Sequence, residues 1–134
     1  VGNRTVLANG VTLAGHVEVE DGAVIGGLTA VHQFSRIGQL AMIGGCSAVD
    51  QDVAPFCMAL GNRLSLRGLN LLGLKRAGVP KDAIRTLREA YTTLFVEKQP
   101  LKEAVQEVRE RWPEDAQIQV LTEFLEASER GVCR

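Results

Sequence analysis

The sequence predicts a parallel β-helix of six-residue repeats over residues 1–54, followed by a small α-helical domain. Three observations predict it. Read in sixes from Val1, every hexad opens on an aliphatic residue: Val1, Leu7, Leu13, Val19, Ile25, Val31, Ile37, Ile43 and Val49. The fifth place is always small or β-branched, from Thr5, Val11 and Val17 through Ala23, Thr29, Ser35, Ala41 and Ser47 to Val53. After Leu64 the apolar spacing becomes helical.

A six-residue period is too short for a helix pair or a hairpin. It suits one flat side of a triangular coil, a short strand followed by a tight corner. The aliphatic first residue points into a narrow prism, and the fifth must be small to share that interior. Three hexads close one coil, so residues 1–54 make three coils spaced ~4.8 Å apart by strand hydrogen bonds. Second-place residues are often small (Gly2, Ala8, Ala14, Gly26, Gly38, Gly44), as a corner requires. Val1 already occupies an interior place with no polar cap before it, so the chain is expected to begin in mid-solenoid.

The pattern fades at Pro55, and residues 55–64 are expected to be a connecting loop. Residues 65–134 are expected to form the helical domain. Leu66, Leu69, Leu74 and Ala77 mark a first short helix ended by Gly78. Pro80 suits the start of a second, whose stripe is Ile84, Leu87, Tyr91, Leu94 and Phe95. A third is expected from about Leu101 to Trp112, and a fourth from about Asp115 to Arg130.

Composition narrows the function. Aromatic residues are 4% of the chain, so the core is aliphatic. No apolar run is long enough to span a bilayer and no signal segment opens the chain, which points to a cytoplasmic protein. Cys46, Cys57 and Cys133 are odd in number and lack metal-ligand spacing, as expected of thiols in a reducing compartment. Charge is uneven. In residues 1–54 Arg4 and Arg36 face Glu18, Glu20, Asp21, Asp50 and Asp52, a net −3. In residues 63–88 Arg63, Arg67, Lys75, Arg76, Lys81, Arg85 and Arg88 face Asp82 alone, a net +6. Such a cluster is either a solvated helical face or the seat of an anionic partner. Nucleic acid is disfavoured, because no aromatic residues interleave the charges.

No nucleophile elbow, phosphate-binding loop, dinucleotide glycine pattern or zinc motif is present, so neither a metal nor a cofactor is expected. Only His16 and His32 offer acid–base chemistry near neutrality. Both lie in the repeat at outward-facing places, where they are either structural or line a groove against a neighbouring subunit.

The segments LAGHVEV, AVIGGLTAVHQFSRIG, IGGCSAVDQDVAPF, GLNLLGLKRAGVPKDAIRTLREAY and ASERGVCR together resemble the UDP-N-acetylglucosamine O-acyltransferase family of lipid A biosynthesis. The likeness runs in order over almost the whole chain. It implies a left-handed coil, a homotrimer, and transfer of a hydroxyacyl chain from acyl carrier protein to the sugar 3-hydroxyl. It implies that Gly15 N–H is the oxyanion donor. The general-base histidine would lie before Val1, one coil above Gly15, leaving the chain as given inactive. His16 resembles the family's substrate-positioning histidine, and His32 with Gln33 its sugar-binding pair. Gly45 matches the floor of the acyl groove, and Asn70 and Arg76 match residues near the nucleotide. Three positions depart: Leu72 stands where an acidic residue is expected, Ala77 where a second Arg is, and Arg63 where a His is frequent. Two alternatives remain: a catalytically silent trimerisation module, and a related hexapeptide N-acyl- or acetyltransferase. The GLKRAG segment and the REAY helix argue against the second.

Overall fold

The computed structural model describes residues 1–134. Its first part is the solenoid that the hexads predict, with the left hand that the family resemblance implies. Eight two-residue strands, β1 (Val6–Leu7), β2 (Thr12–Leu13), β3 (Glu18–Val19), β4 (Val24–Ile25), β5 (Ala30–Val31), β6 (Arg36–Ile37), β7 (Met42–Ile43) and β8 (Ala48–Val49), each take the last residue of one hexad and the first of the next. They stack in parallel as three sides, β1-β4-β7, β2-β5-β8 and β3-β6. Partners lie one full coil of three hexads apart, as in Leu7↔Ile25 and Ile25↔Ile43.

The corners share one conformation. The fourth residue of eight successive hexads has positive φ: Arg4, Gly10, His16, Gly22, Leu28, Phe34, Leu40 and Cys46. Only two of the eight are glycine, so the coil imposes a left-handed backbone that side chains rarely adopt. The series breaks at Asp52, where the coil shortens, and resumes in shifted register at Phe56, whose φ is 68°. Ile37 meets Val53 and Met42 meets Met58, each pair falling short of a full coil.

Inward places are buried as expected from Val19 onward, with Ile25, Ile37, Ile43, Val49 and Val53 inaccessible to solvent. Val1 and Leu7 are exposed and Leu13 only half-buried, because the first coil is covered on one side only.

The segment expected to be a loop contains β9 (Cys57–Leu60), which pairs parallel to β7 and extends that side by one rung. The stretch expected to open the first helix is instead β10 (Ser65–Leu69), antiparallel to β9 with a bulge between Leu66 and Leu69. Helix α1 therefore starts only at Leu71 (Leu71–Arg76), capped by Asn70. Pro80 caps α2 (Lys81–Tyr91), which continues as a π-helical turn, Thr92–Val96. The last two helices are α3 (Leu101–Arg111) and α4 (Ala116–Ala127), the latter ending shortly before Arg130. Leu74, Leu87, Leu94, Val108, Leu121 and Phe124 form their core, which also packs against Ala54, Phe56 and Cys57 at the end of the solenoid. Burial pushes the thiols of Cys57 and Cys133 up, Cys133 to about 11. No helix is long and apolar enough to cross a membrane.

Candidate functional site

The corners stack into three edges, and each edge has a different cover. The third edge comprises residues 14–16, 32–34 and 50–52. Gly15, His16, His32, Gln33 and Phe34 are all exposed on it. His16 and Phe34, at the same place in successive coils, stack with ring centroids 5.1 Å apart and planes 7° from parallel. Gly15 carbonyl accepts from Phe34 N–H at 3.1 Å, and His32 N–H donates to Val49 carbonyl at 2.8 Å. Gly15 N–H donates to no protein acceptor. A Cβ at Gly15 would have only the Gln33 side-chain amide nearby, at 3.8 Å, so the backbone there is open to approach.

The second edge comprises residues 8–10, 26–28 and 44–46. Gly27 and Gly45 lie one above the other, and a Cβ at Gly45 would sit 3.2 Å from Gly27 carbonyl oxygen. Leu28 (71% exposed) and the exposed Cys46 flank them. The side running up to this edge, β1-β4-β7-β9, turns Val6, Val24, Met42 and Met58 outward. The equivalent outward residues are Thr12, Ala30 and Ala48 on one other side, and Glu18 and Arg36 on the last. The hexad frame, followed inward, does not show this apolar strip. Its signal lies at the sixth place, read once per coil.

The first edge comprises residues 2–4, 20–22 and 38–40 and is covered by the helical domain. A cleft of about 490 Å³ remains between them, lined by Arg4, Asp21, Gln39, Asn70, Arg76 and Gln117 among others. Asn70 is 4% exposed. Its Nδ2 donates to Leu40 carbonyl at 2.9 Å, and its Oδ1 accepts from Gly73 N–H at 3.1 Å. One amide hydrogen and one lone pair are left for a ligand. Arg76, in the last turn of α1, is exposed at the rim with Ala77, while Leu72 is 59% exposed. Arg63 is exposed in the turn between β9 and β10. Nearby, Arg36 lies 4.3 Å over the Phe124 ring and pairs with Glu18 at 3.2 Å. The Glu20 carboxyl is raised above its ordinary value by burial.

The candidates thus divide among three edges. Gly15, His16, His32 and Gln33 are brought together; Gly45 lies on another edge, and Asn70 and Arg76 on the remaining one.

Residues 52–133 match the family model described as UDP-N-acetylglucosamine O-acyltransferase, domain 2. This chain belongs to that family. The acyl-[acyl-carrier-protein]–UDP-N-acetylglucosamine O-acyltransferase of Nautilia profundicola is 49% identical over 98% of the chain and 51% of its own length. That of Burkholderia orbicola is 45% identical over 100% and 53%. Among solved structures, the UDP-N-acetylglucosamine acyltransferase of Campylobacter jejuni superposes with a TM-score of 0.93 at 44% identity, covering 98% of this chain and 51% of that one. LpxA of Acinetobacter baumannii gives 0.95 at 38% identity, covering 100% and 52%. The chain therefore spans about half the length of these relatives. Membership in the UDP-N-acetylglucosamine O-acyltransferase family covers solenoid and helices together, and so gives the three edges a common context.

Proposed function

We propose that this chain supplies the C-terminal half of an acyltransferase moving a hydroxyacyl group from acyl carrier protein to the 3-hydroxyl of UDP-N-acetylglucosamine, at the start of lipid A synthesis. The observation that carries the reading is the third edge. One exposed strip there combines two imidazoles, a carboxamide and an open glycine backbone with a free N–H. In the reaction the sugar hydroxyl attacks the thioester carbon and a general base takes its proton. Gly15 N–H donates to the oxygen that becomes negative, and the carrier's thiolate leaves. His32 and Gln33 bind the sugar, and His16, stacked on Phe34, helps to position it. The base belongs one coil above Gly15, on a segment preceding Val1.

The acyl chain needs an apolar trough, and the second edge offers one in Met42, Val24 and Leu28 beside the bare Gly45. Arg76 suits a diphosphate and Asn70 the nucleotide. Residues on separate edges of one prism cannot converge on one substrate within a chain. A threefold assembly sets the third edge of one copy against the other edges of its neighbour, so we take the active species as a homotrimer.

The experiment is an acyl-transfer assay with acyl carrier protein thioester and UDP-N-acetylglucosamine. It compares this chain with the same chain joined behind the N-terminal half of the Nautilia relative. A positioned base is worth roughly 10²–10⁴-fold, so the extended protein should exceed the 134-residue chain by at least that factor. Comparable turnover would move the base onto His16 or His32.

A further inference from the structure

The carbonyl–amide bonds that lock the corners form a series. Asn3, Asn9, Gly15, Asp21 and Gly27 carbonyls accept, in turn, from the N–H groups of Gly22, Leu28, Phe34, Leu40 and Cys46. The next member would be Gln33 carbonyl accepting from Asp52 N–H. It is not formed, because the coil shortens there. The C-terminal tail takes its place instead. Asp52 N–H donates to Gly131 carbonyl at 3.0 Å, and Gln33 carbonyl accepts from Arg130 Nη1 at 2.9 Å. Arg130 Nε also donates to Asp50 carbonyl at 3.1 Å, so one guanidinium bridges two successive coils.

We propose that Arg130 is a positioning residue for the sugar-binding edge, holding the Gln33–Phe34 peptide in place of the missing coil amide. The proposal rests on the reading that this edge binds the sugar nucleotide. The peptide in question is held at both ends. Its carbonyl takes Arg130, and its N–H donates to Gly15 carbonyl, one coil up. Fixing that plane fixes the spacing between Gln33 and the open Gly15 backbone. Arg130 is not needed to keep the tail in place. Ser128 Oγ donates to Asp52 Oδ2 at 2.6 Å, Cys133 N–H donates to Asp52 carbonyl at 2.8 Å, and Val132 and Cys133 are buried. The side chain of Arg130 therefore acts on the edge, while its neighbours anchor the tail. The planar guanidinium reaches the two carbonyls from two separate nitrogens, Nε and Nη1, whereas a lysine would have to serve both from one nitrogen.

The test has two arms. In the extended protein, Arg130→Gln should raise the KM for UDP-N-acetylglucosamine on the order of tenfold, as for loss of a charge-assisted hydrogen bond, with the KM for the acyl carrier protein thioester unchanged. Arg130→Lys should fall between, and Arg109→Ala, which breaks the exposed α3–α4 ion pair with Glu126, should change neither KM. In the 134-residue chain, Arg130→Gln should speed amide exchange at Phe34 while leaving the midpoint of thermal unfolding in place. Unchanged Phe34 exchange, an unchanged KM for the sugar nucleotide, or equal losses for both substrates would each overturn the proposal. A parent protein with no transferase activity would overturn the functional reading and this proposal with it. It is told apart because it fails before any substitution is made.

Discussion

The first and third edges of the solenoid have the same backbone and opposite fates. Both carry left-handed fourth-place residues, Arg4, Gly22 and Leu40 on one and His16 and Phe34 on the other. On the first edge the helical domain packs over the corner and leaves the cleft that Arg4, Asn70 and Arg76 line. Leu40 carbonyl, turned outward by the corner, is taken by Asn70, whose other end caps α1. On the third edge the tail bonds only to backbone and to Asp52, and the side chains above it stay free. Identical corners thus end covered or open according to what packs against them. The hexad frame is silent on this, because the cover comes from residues far along the chain.

The largest test concerns the bare second edge. If Gly45 floors the acyl trough, Gly45→Met should shift the extended protein toward shorter donors by about three or four methylenes, each worth ~0.8 kcal/mol of burial. That is roughly a hundredfold loss of kcat/KM for the longest donor, read from a chain-length series. The added Cβ would sit 3.2 Å from Gly27 carbonyl oxygen and 3.6 Å from Gly27 N, so the Gly27 backbone must give by a few tenths of an ångström, and urea denaturation of the variant checks that the fold survives. Unchanged chain-length selectivity would take Gly45 out of the site.

On the covered edge the expected effect falls on stability. Asn70→Ala removes a helix cap and leaves Leu40 carbonyl without its partner, at a cost of about 2 kcal/mol. Urea denaturation of the chain measures it. Asn70→Asp keeps the capping acceptor and should recover part of the loss. Full stability in Asn70→Ala, with a weakened sugar-nucleotide KM, would break the comparison and make the amide a ligand group first.

How much of this was legible follows the same division. Strand positions, inward places and the stacking of residues one coil apart follow from the sixfold period, because each coil repeats one local solution. The end of the solenoid does not. The coil shortens around Asp52, so β9 returns to its side too early after β7, and a frame of six reads it as loop. Leu66 and Leu69 carry a helix-like spacing, but Gly68, at a φ of 110°, makes a strand bulge there. The signal against a helix there is Asn70, a good N-cap whose side chain accepts from Gly73 N–H. For the candidate site, the exposed residues of the third edge could be singled out one by one in the sequence, whereas Arg130 could not. The part proposed for it depends on a carbonyl that lacks its coil partner 97 residues earlier in the chain.

The smallest effect asks whether corner strain is real on the bare edge. Phe34 has a φ of 67° and is 55% exposed, so its ring contributes little beyond the stack on His16. Phe34→Ala and Phe34→Gly both remove that stack. Alanine keeps a Cβ and with it the clash that disfavours left-handed backbone, whereas glycine has none. The glycine variant also has more freedom to lose on folding, which offsets part of the relief. The net expectation is that Phe34→Gly is more stable than Phe34→Ala by about 1 kcal/mol in urea denaturation. The same pair at Ala30, a strand residue outside the corners, should run the other way, with glycine the less stable. Equal stability of the two Phe34 variants would mean that the corner relaxes once the side chain is gone. The left-handed column would then be a consequence of its side chains, no longer a demand of the coil.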